Sequence, residues 1–275
     1  MLIDAHHHLW RYNTRDYGWM SNDMVALRQD YLLPELEQVA RACGVTGTIA
    51  VQARQTLEET ESLLQMAAAN PLLQGVVGWV PLIAPDVAKD LDRFAADPHL
   101  KSVRHVLHDE PDDFYMLRDD FNRGVSLLAS RGLAYDILIF EKHLPQTLTF
   151  VDRHPNQIFI VDHIAKPKIR AGELSPWKEN LAELARRDNV CCKISGMATE
   201  ADWSGWTREQ LRPCFDAALA SFGPSRLMFG SDWPVLTLAG SYQHWVDTFR
   251  WFIVGLSPEE QEQICSGTAR RAYQI

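Results

Sequence analysis

No basic run or stripe occurs anywhere in the chain. Its 27 Lys and Arg stand against 36 Asp and Glu, for a net charge of −9. That balance argues against a nucleic-acid partner and against docking on an anionic membrane. Cysteine is sparse and unpaired in pattern: Cys43, Cys191, Cys192, Cys214 and Cys265 form an odd set with no C-x-x-C, which reads as reduced, buried thiols of a cytoplasmic protein. No apolar run approaches the length needed to span a bilayer, and no basic-then-apolar leader precedes Asp4, so a soluble cytoplasmic chain is expected. Repeats, low-complexity tracts and Gly/Ser linkers are missing too. The 275 residues are therefore read as a single domain, 1–275, a length that one barrel commonly reaches.

What is present is a large apolar complement, 46% of residues, with nine Trp. That exceeds what a core needs and points to an aromatic-lined pocket. The first ten residues then stand out. After Leu2 and Ile3, the residues Asp4, His6 and His8 recur with period 2, which in a strand sets them on one face at its C-terminal end. Two imidazoles so spaced can share a metal ion or a polarised oxygen.

Seven further strand-like runs follow: Thr46 to Ala53, Leu73 to Pro81, Leu100 to Val106, Leu133 to Phe140, Gln157 to His163, Val190 to Ser195 and Arg226 to Asp232. Helical segments separate them, over Glu35 to Ala42, from Thr56, from Pro85 to Asp97, Asp119 to Arg131, Pro145 to Arg153, Glu179 to Arg187 and Thr207 to Ser221. Tyr242 to Val254 and Pro258 to Ala272 close the chain. Eight continuous apolar strands alternating with helices imply a parallel sheet closed into an α/β (β/α)8 TIM barrel, with an extra C-terminal helix capping it or joining its outer ring. The long loop from Arg11 to Leu33 reads either as a lid or as decoration packed by its own aromatics.

The unusual polar residues cluster at strand C-termini: His6 and His8, Gln52 and Arg54, Arg104 and His105, Asp136, His163, Lys193 and Asp232. Active sites of such barrels are built at that face from several strands. Arg104 and His105 are consecutive, so only one of them can face inward.

Six segments carry a resemblance: Ile3-Asp4-Ala5-His6-His7-His8-Leu9-Trp10, Val51-Gln52-Ala53, Val103-Arg104-His105, Asp162-His163-Ile164-Ala165-Lys166-Pro167, Lys193-Ile194-Ser195-Gly196 and Phe229-Gly230-Ser231-Asp232-Trp233-Pro234. With them the chain resembles the amidohydrolase superfamily, in its branch of sugar lactonases typified by L-fuconolactonase and L-rhamnonolactonase. The resemblance implies hydrolysis at a carbonyl, with Asp232 as general base and with His163, His6 and His8 polarising the carbonyl directly or through a metal. Gln52, Arg54, Arg104 or His105, Asp136, Lys193 and Trp233 are the candidates for substrate recognition, and Asp162 with Lys166 reads as an ion pair supporting the His163 loop.

Metal-dependent members of the superfamily add a His from the fifth strand or a carboxylated Lys from the fourth. Neither is present here. The expectation is that no cofactor is required, although His6, His8, His163 and Asp232 offer ligands for one zinc or other divalent ion. The implied partner is a small sugar lactone, and a homo-oligomer is left open. An aromatic dicarboxylate lactone hydrolase, a metal-dependent decarboxylase and a non-catalytic carbohydrate-binding barrel are the competing readings.

Overall fold

The computed structural model describes residues 1–275. Its strands are β1 (Leu2–His7), β2 (Val45–Val51), β3 (Leu73–Gly78), β4 (Leu100–Val106), β5 (Ala134–Leu138), β6 (Phe159–Val161), β7 (Val190–Ile194) and β8 (Leu227–Phe229). They form one all-parallel sheet in chain order. The seam between β8 and β1 closes through two backbone hydrogen bonds, from Asp232 N to the His6 carbonyl (2.8 Å) and from His8 N to the Trp233 carbonyl (2.7 Å). This is the (β/α)8 barrel read from the alternating pattern.

The covering helices are α1 (Leu33–Ala42), α2 (Leu57–Ala69), α3 (Val87–Ala95), α4 (Asp119–Val125), α5 (Leu144–Asp152), α6 (Trp177–Leu184), α7 (Arg208–Phe222) and α8 (Tyr242–Ile253). Local chemistry sets their ends. Thr56 accepts from Glu59 N at the start of α2, and Thr207 forms a capping box with Gln210 before α7, each satisfying donors that a first turn leaves free. The helix read over Asp119 to Arg131 stops at Val125 and resumes as a short 3-10 turn. Gly124 lies so close to the Leu82 carbonyl that a Cβ there would sit 2.2 Å from its oxygen.

The chain ends in α9 (Pro258–Glu262), a π-helical turn and α10 (Thr268–Tyr273). Ala269, Ala272 and Tyr273 join Ile3, Ala5, Ile49, Val51, Val77, Ile160 and Met228 in the barrel's inner cluster. The last helix is thus a plug at the N-terminal end of the strands, and the Tyr273 hydroxyl reaches up to donate to Asp136 Oδ2 (2.8 Å). No helix is long and apolar enough to cross a membrane, and all five cysteines are free thiols.

Candidate active site

The first strand does not keep the simple alternation. Asp4 pairs with Thr48 and His7 with Ala50, so three steps on β1 oppose two on β2, a bulge that resets which side chains face inward. The expectation that Asp4 shares a face with His6 and His8 is therefore corrected. Ile3 and Ala5 face the inner cluster, while Asp4 turns to the seam and accepts from Ser231 N (2.8 Å), Ser231 Oγ (2.6 Å) and the Tyr242 hydroxyl (2.8 Å). Beyond the bulge, His6 and His8 point inward and His7 reaches outward to Thr48 Oγ1 (3.0 Å).

Four side chains meet at the mouth. Asp232 Oδ1 lies 3.4 Å from His8 Nε2, 3.7 Å from His6 Nε2 and 3.9 Å from His163 Nε2. Asp232 has a left-handed φ of +58°, and its carboxylate caps no helix. Burial pushes this carboxyl up, but His163, His8 and His6 together outweigh it and hold the group well below the usual carboxylate range. Burial lowers His163 to about 3 against the pull of Asp232 and Asp162, so its imidazole is neutral. Burial likewise drives His6 well down, opposed chiefly by Asp162. Ser195 Oγ lies 2.8 Å from His163 Nδ1 and fixes that ring.

The fit of a divalent cation can be judged from the nitrogens. His8 Nδ1 lies 2.8 Å from the Val51 carbonyl, which only accepts, so that nitrogen carries a hydrogen and the ring's Nε2 is the one turned to the site. His6 Nδ1 lies 3.3 Å from Asp162 Oδ1. Donors face both nitrogens of this ring, Lys193 Nζ at Nδ1 (3.1 Å) and Arg104 Nη1 at Nε2 (3.4 Å). His6 Nε2 and His8 Nε2 face each other at 3.2 Å beside the Asp232 carboxylate. Tetrahedral zinc bonds of about 2.0–2.1 Å put neighbouring ligand atoms about 3.3 Å apart, close to the separations found. The second partners on both rings are those that metal-binding imidazoles ordinarily have. His6, His8 and Asp232 therefore fit a single divalent ion.

Beneath this floor runs a buried charge network. Arg104 Nη1 donates to Asp162 Oδ2 (2.9 Å), and Arg104 Nη2 donates to both the Gln52 side chain (2.8 Å) and its carbonyl (2.5 Å). Lys193 Nζ sits 2.5 Å from Asp136 Oδ2, 2.9 Å from Asp162 Oδ1 and 3.1 Å from His6 Nδ1. Two cations thus face two carboxylates, which is how buried charge is tolerated. Burial pushes Asp162 up, yet Lys193, His6 and Arg104 hold it well below its ordinary value, whereas burial raises Asp136 despite Lys193.

Above the floor is a cavity of about 430 Å³. His8, His163, Asp232 and Arg104 form its base, with Trp10, Trp19, Phe140 and Trp203 as aromatic walls. The long loop contributes Trp19 and Met24, and its Tyr17, Met20 and Leu27 pack with Trp10, as the decoration reading expects. A more open depression of about 700 Å³ near the C-terminus is lined by none of the polar strand ends.

The remaining expected residues separate by position. Arg104 faces the cavity and His105 does not. His105 accepts from Trp79 Nε1 (3.3 Å), lies 2.6 Å from Glu110 and stacks on Tyr115. Arg54 turns away to Asp16 Oδ2 (2.7 Å) and Glu59 (3.7 Å), tying the long loop to the end of β2. Gln52, Asp136 and Lys193 are fully buried: Gln52 accepts from Arg104, and Asp136 holds the Lys193 ammonium that meets His6. Trp233 packs edge-on to Tyr31 at 5.2 Å, outside the cavity wall. The expected Asp162–Lys166 pair does not form, because Lys166 Nζ pairs with Glu200 Oε1 at 2.9 Å. Glu200, Thr199, Trp203, His108 and Asp109 line the cavity from strand-to-helix loops. Only Trp203 carried a signal, as one of the surplus tryptophans.

A parallel barrel with paired histidines ending its first strand, a histidine after the sixth and an aspartate after the eighth has the layout of an amidohydrolase-type enzyme. Residues 3–275 match the amidohydrolase family model, and the chain belongs to that family. It is 40% identical to an L-fucono-1,5-lactonase of Burkholderia multivorans, covering 100% of this chain and 96% of the relative. It is 35% identical to an L-fucono-1,5-lactonase of Burkholderia ambifaria, covering 99% and 95%. A crystal structure of a Burkholderia multivorans amidohydrolase with bound zinc superposes with a TM-score of 0.96 at 39% identity, covering 100% of this chain and 99% of that one.

Proposed function

We propose that this chain is a cytoplasmic lactonase that opens a sugar 1,5-lactone such as L-fuconolactone to its aldonic acid. The observation that carries this reading is the convergence of the Asp232 carboxylate with three imidazole Nε2 atoms on the floor of a small aromatic-walled cavity. The two lactonase relatives, matched over nearly their whole length, support the substrate class.

Asp232, kept ionised, takes a proton from water as its oxygen attacks the ring carbonyl. In the tautomer that accepts from Ser195, His163 presents Nε2–H to the cavity, and with the Arg104 guanidinium it stabilises the oxyanion that develops. As the acyl C–O bond of the ring breaks, Asp232 returns its proton to the departing ring oxygen, and the carboxylic acid so formed ionises to a carboxylate beside the free hydroxyl. His6, His8 and Asp232 would hold a divalent ion, and such an ion supplies Lewis-acid polarisation of the carbonyl when bound. A lactone is an activated ester, however, and this step uses only groups of this chain.

The dicarboxylate-lactone reading loses support, since Arg54 is turned away and Arg104 shares the cavity with Asp109 and Glu200, an unfavourable setting for two carboxylates. The test is pH-indicator hydrolysis of a panel of sugar 1,4- and 1,5-lactones, before and after chelation. Acid release that survives chelation is expected. Loss restored by zinc would make His6 and His8 ligands first, and no release from any lactone would overturn the lactonase reading.

A further inference from the structure

Between β6 and the following loop, His163, Ile164, Ala165 and Lys166 have φ of +53°, +48°, +59° and +48°. This is one full turn of left-handed helix without a glycine. Non-glycine residues visit this region singly, and a β-branched residue such as Ile164 is an outlier there. Such a run persists only where its surroundings over-determine it, and it clusters with functional sites. Here Lys166 N bonds the His163 carbonyl (2.8 Å), Trp177 Nε1 donates to the Ile164 carbonyl (2.7 Å), and Ile164 and Ala165 are fully buried.

What the turn achieves is a matter of periodicity. With three residues per turn, side chains at i and i+3 eclipse, so His163 and Lys166 project to the same side, and both line the cavity. Lys166 is then met from the loop after β7 by Glu200 at 2.9 Å. Arg170 N donates to the Glu200 carbonyl (3.0 Å), so the two loops are also joined through the backbone. The side chains are 16% and 23% exposed, so the pair is neither free in solvent nor part of the charge network under the floor.

We propose that Lys166 and Glu200 are the specificity-determining pair that reads ring hydroxyls of the substrate. An ammonium donates only and a carboxylate accepts only, so side by side they match a vicinal diol, or a single hydroxyl that accepts from one and donates to the other. The left-handed turn fixes this reader at a set offset from His163, so hydroxyl recognition and carbonyl alignment are registered by the same four residues. Asp232, the imidazoles and Arg104 act on the carbonyl, and the pair acts on the rest of the ring.

This inference rests on the lactonase reading, and its test separates the two. Parent, Lys166→Met, Glu200→Gln and Lys166→Arg proteins are assayed on the best sugar lactone and on its analogues each lacking one ring hydroxyl, with folding checked by thermal melting. On the full lactone, kcat/KM is expected to fall about tenfold to a hundredfold in the Met and Gln variants, mostly through KM, and Lys166→Arg is expected to recover part of it. For at least one deoxy analogue, parent and variants should converge. An unchanged kcat/KM on the full lactone overturns the proposal, and so does an equal loss on every analogue, which would mean a structural or carbonyl-directed role. A parent inactive on all lactones instead removes the lactonase reading beneath it.

Discussion

In the proposed mechanism the chemistry turns on the Asp232 carboxylate, and its environment divides its partners by task. His163, His8 and His6 surround it and hold it ionised against burial, and it faces the cavity. Asp232→Asn keeps the shape and removes the proposed base. It is expected to lower kcat about 10²- to 10⁴-fold with far-UV circular dichroism unchanged, measured on the best lactone of the panel. A second carboxyl behaves in the opposite sense. Glu59 accepts from Ala53 N (3.0 Å) and Arg54 N (2.6 Å), and burial raises it from 4.5 to about 7 against those bonds and the Arg54 and Arg104 charges. Between pH 4.5 and about 7 the folded state holds a proton that the unfolded chain has released. Stability from this group is therefore lost as pH rises through that window, and the loss is complete above it. Glu59→Gln has no such proton, so its melting temperature should decline less than the parent's over the same window. Parallel slopes would show that Glu59 titrates normally.

Two local departures from regularity position the site. The β1 bulge turns His6 inward beside His8, and the left-handed turn after β6 aims His163 and Lys166 together. Gly196 serves the second. Its φ is +65°, and a Cβ there would lie 2.7 Å from His163 Cγ. Gly196→Ala is expected to cost about 1–3 kcal/mol in chemical denaturation and to depress kcat by displacing His163, whereas a variant as stable and active as the parent would show that the ring can move aside. These two elements also mark where sequence reading stopped. Strand order, barrel closure and the polar strand ends were legible, because apolar runs and strand termini are local patterns. The facing of Asp4 was not, since a bulge leaves no trace in a period-2 count. The pairing of Asp162 with Lys166 looked natural at four residues apart, but in a left-handed turn Lys166 swings to Glu200, thirty-four positions on. Arg104 and His105 were separable only once strand register was known, and Glu200 lies on a loop without periodicity.

At the scale of the molecule, the site rests on a column of charge that runs down the barrel. His6 meets Lys193, Lys193 meets Asp136, and Asp136 accepts from Tyr273 at the far end. The plug helix is thereby coupled to the catalytic floor through three contacts. This column is the inner counterpart of the apolar shell between strands and helices, and it explains why Asp136 and Lys193, placed at strand ends by the sequence, support the mouth without opening into it.

The seam has one more consequence, and it concerns time. Asp4 binds Ser231 across 227 positions of sequence, and His6 and His8 meet Asp232 across the same join. Contacts of such separation carry the largest loop-closure cost and tend to form late. During refolding from urea, the helical signal should therefore return before lactone turnover. Simultaneous recovery would mean that the barrel closes as early as its helices form. In the reverse direction, the first opening of the seam disables the enzyme while most of its helices still stand.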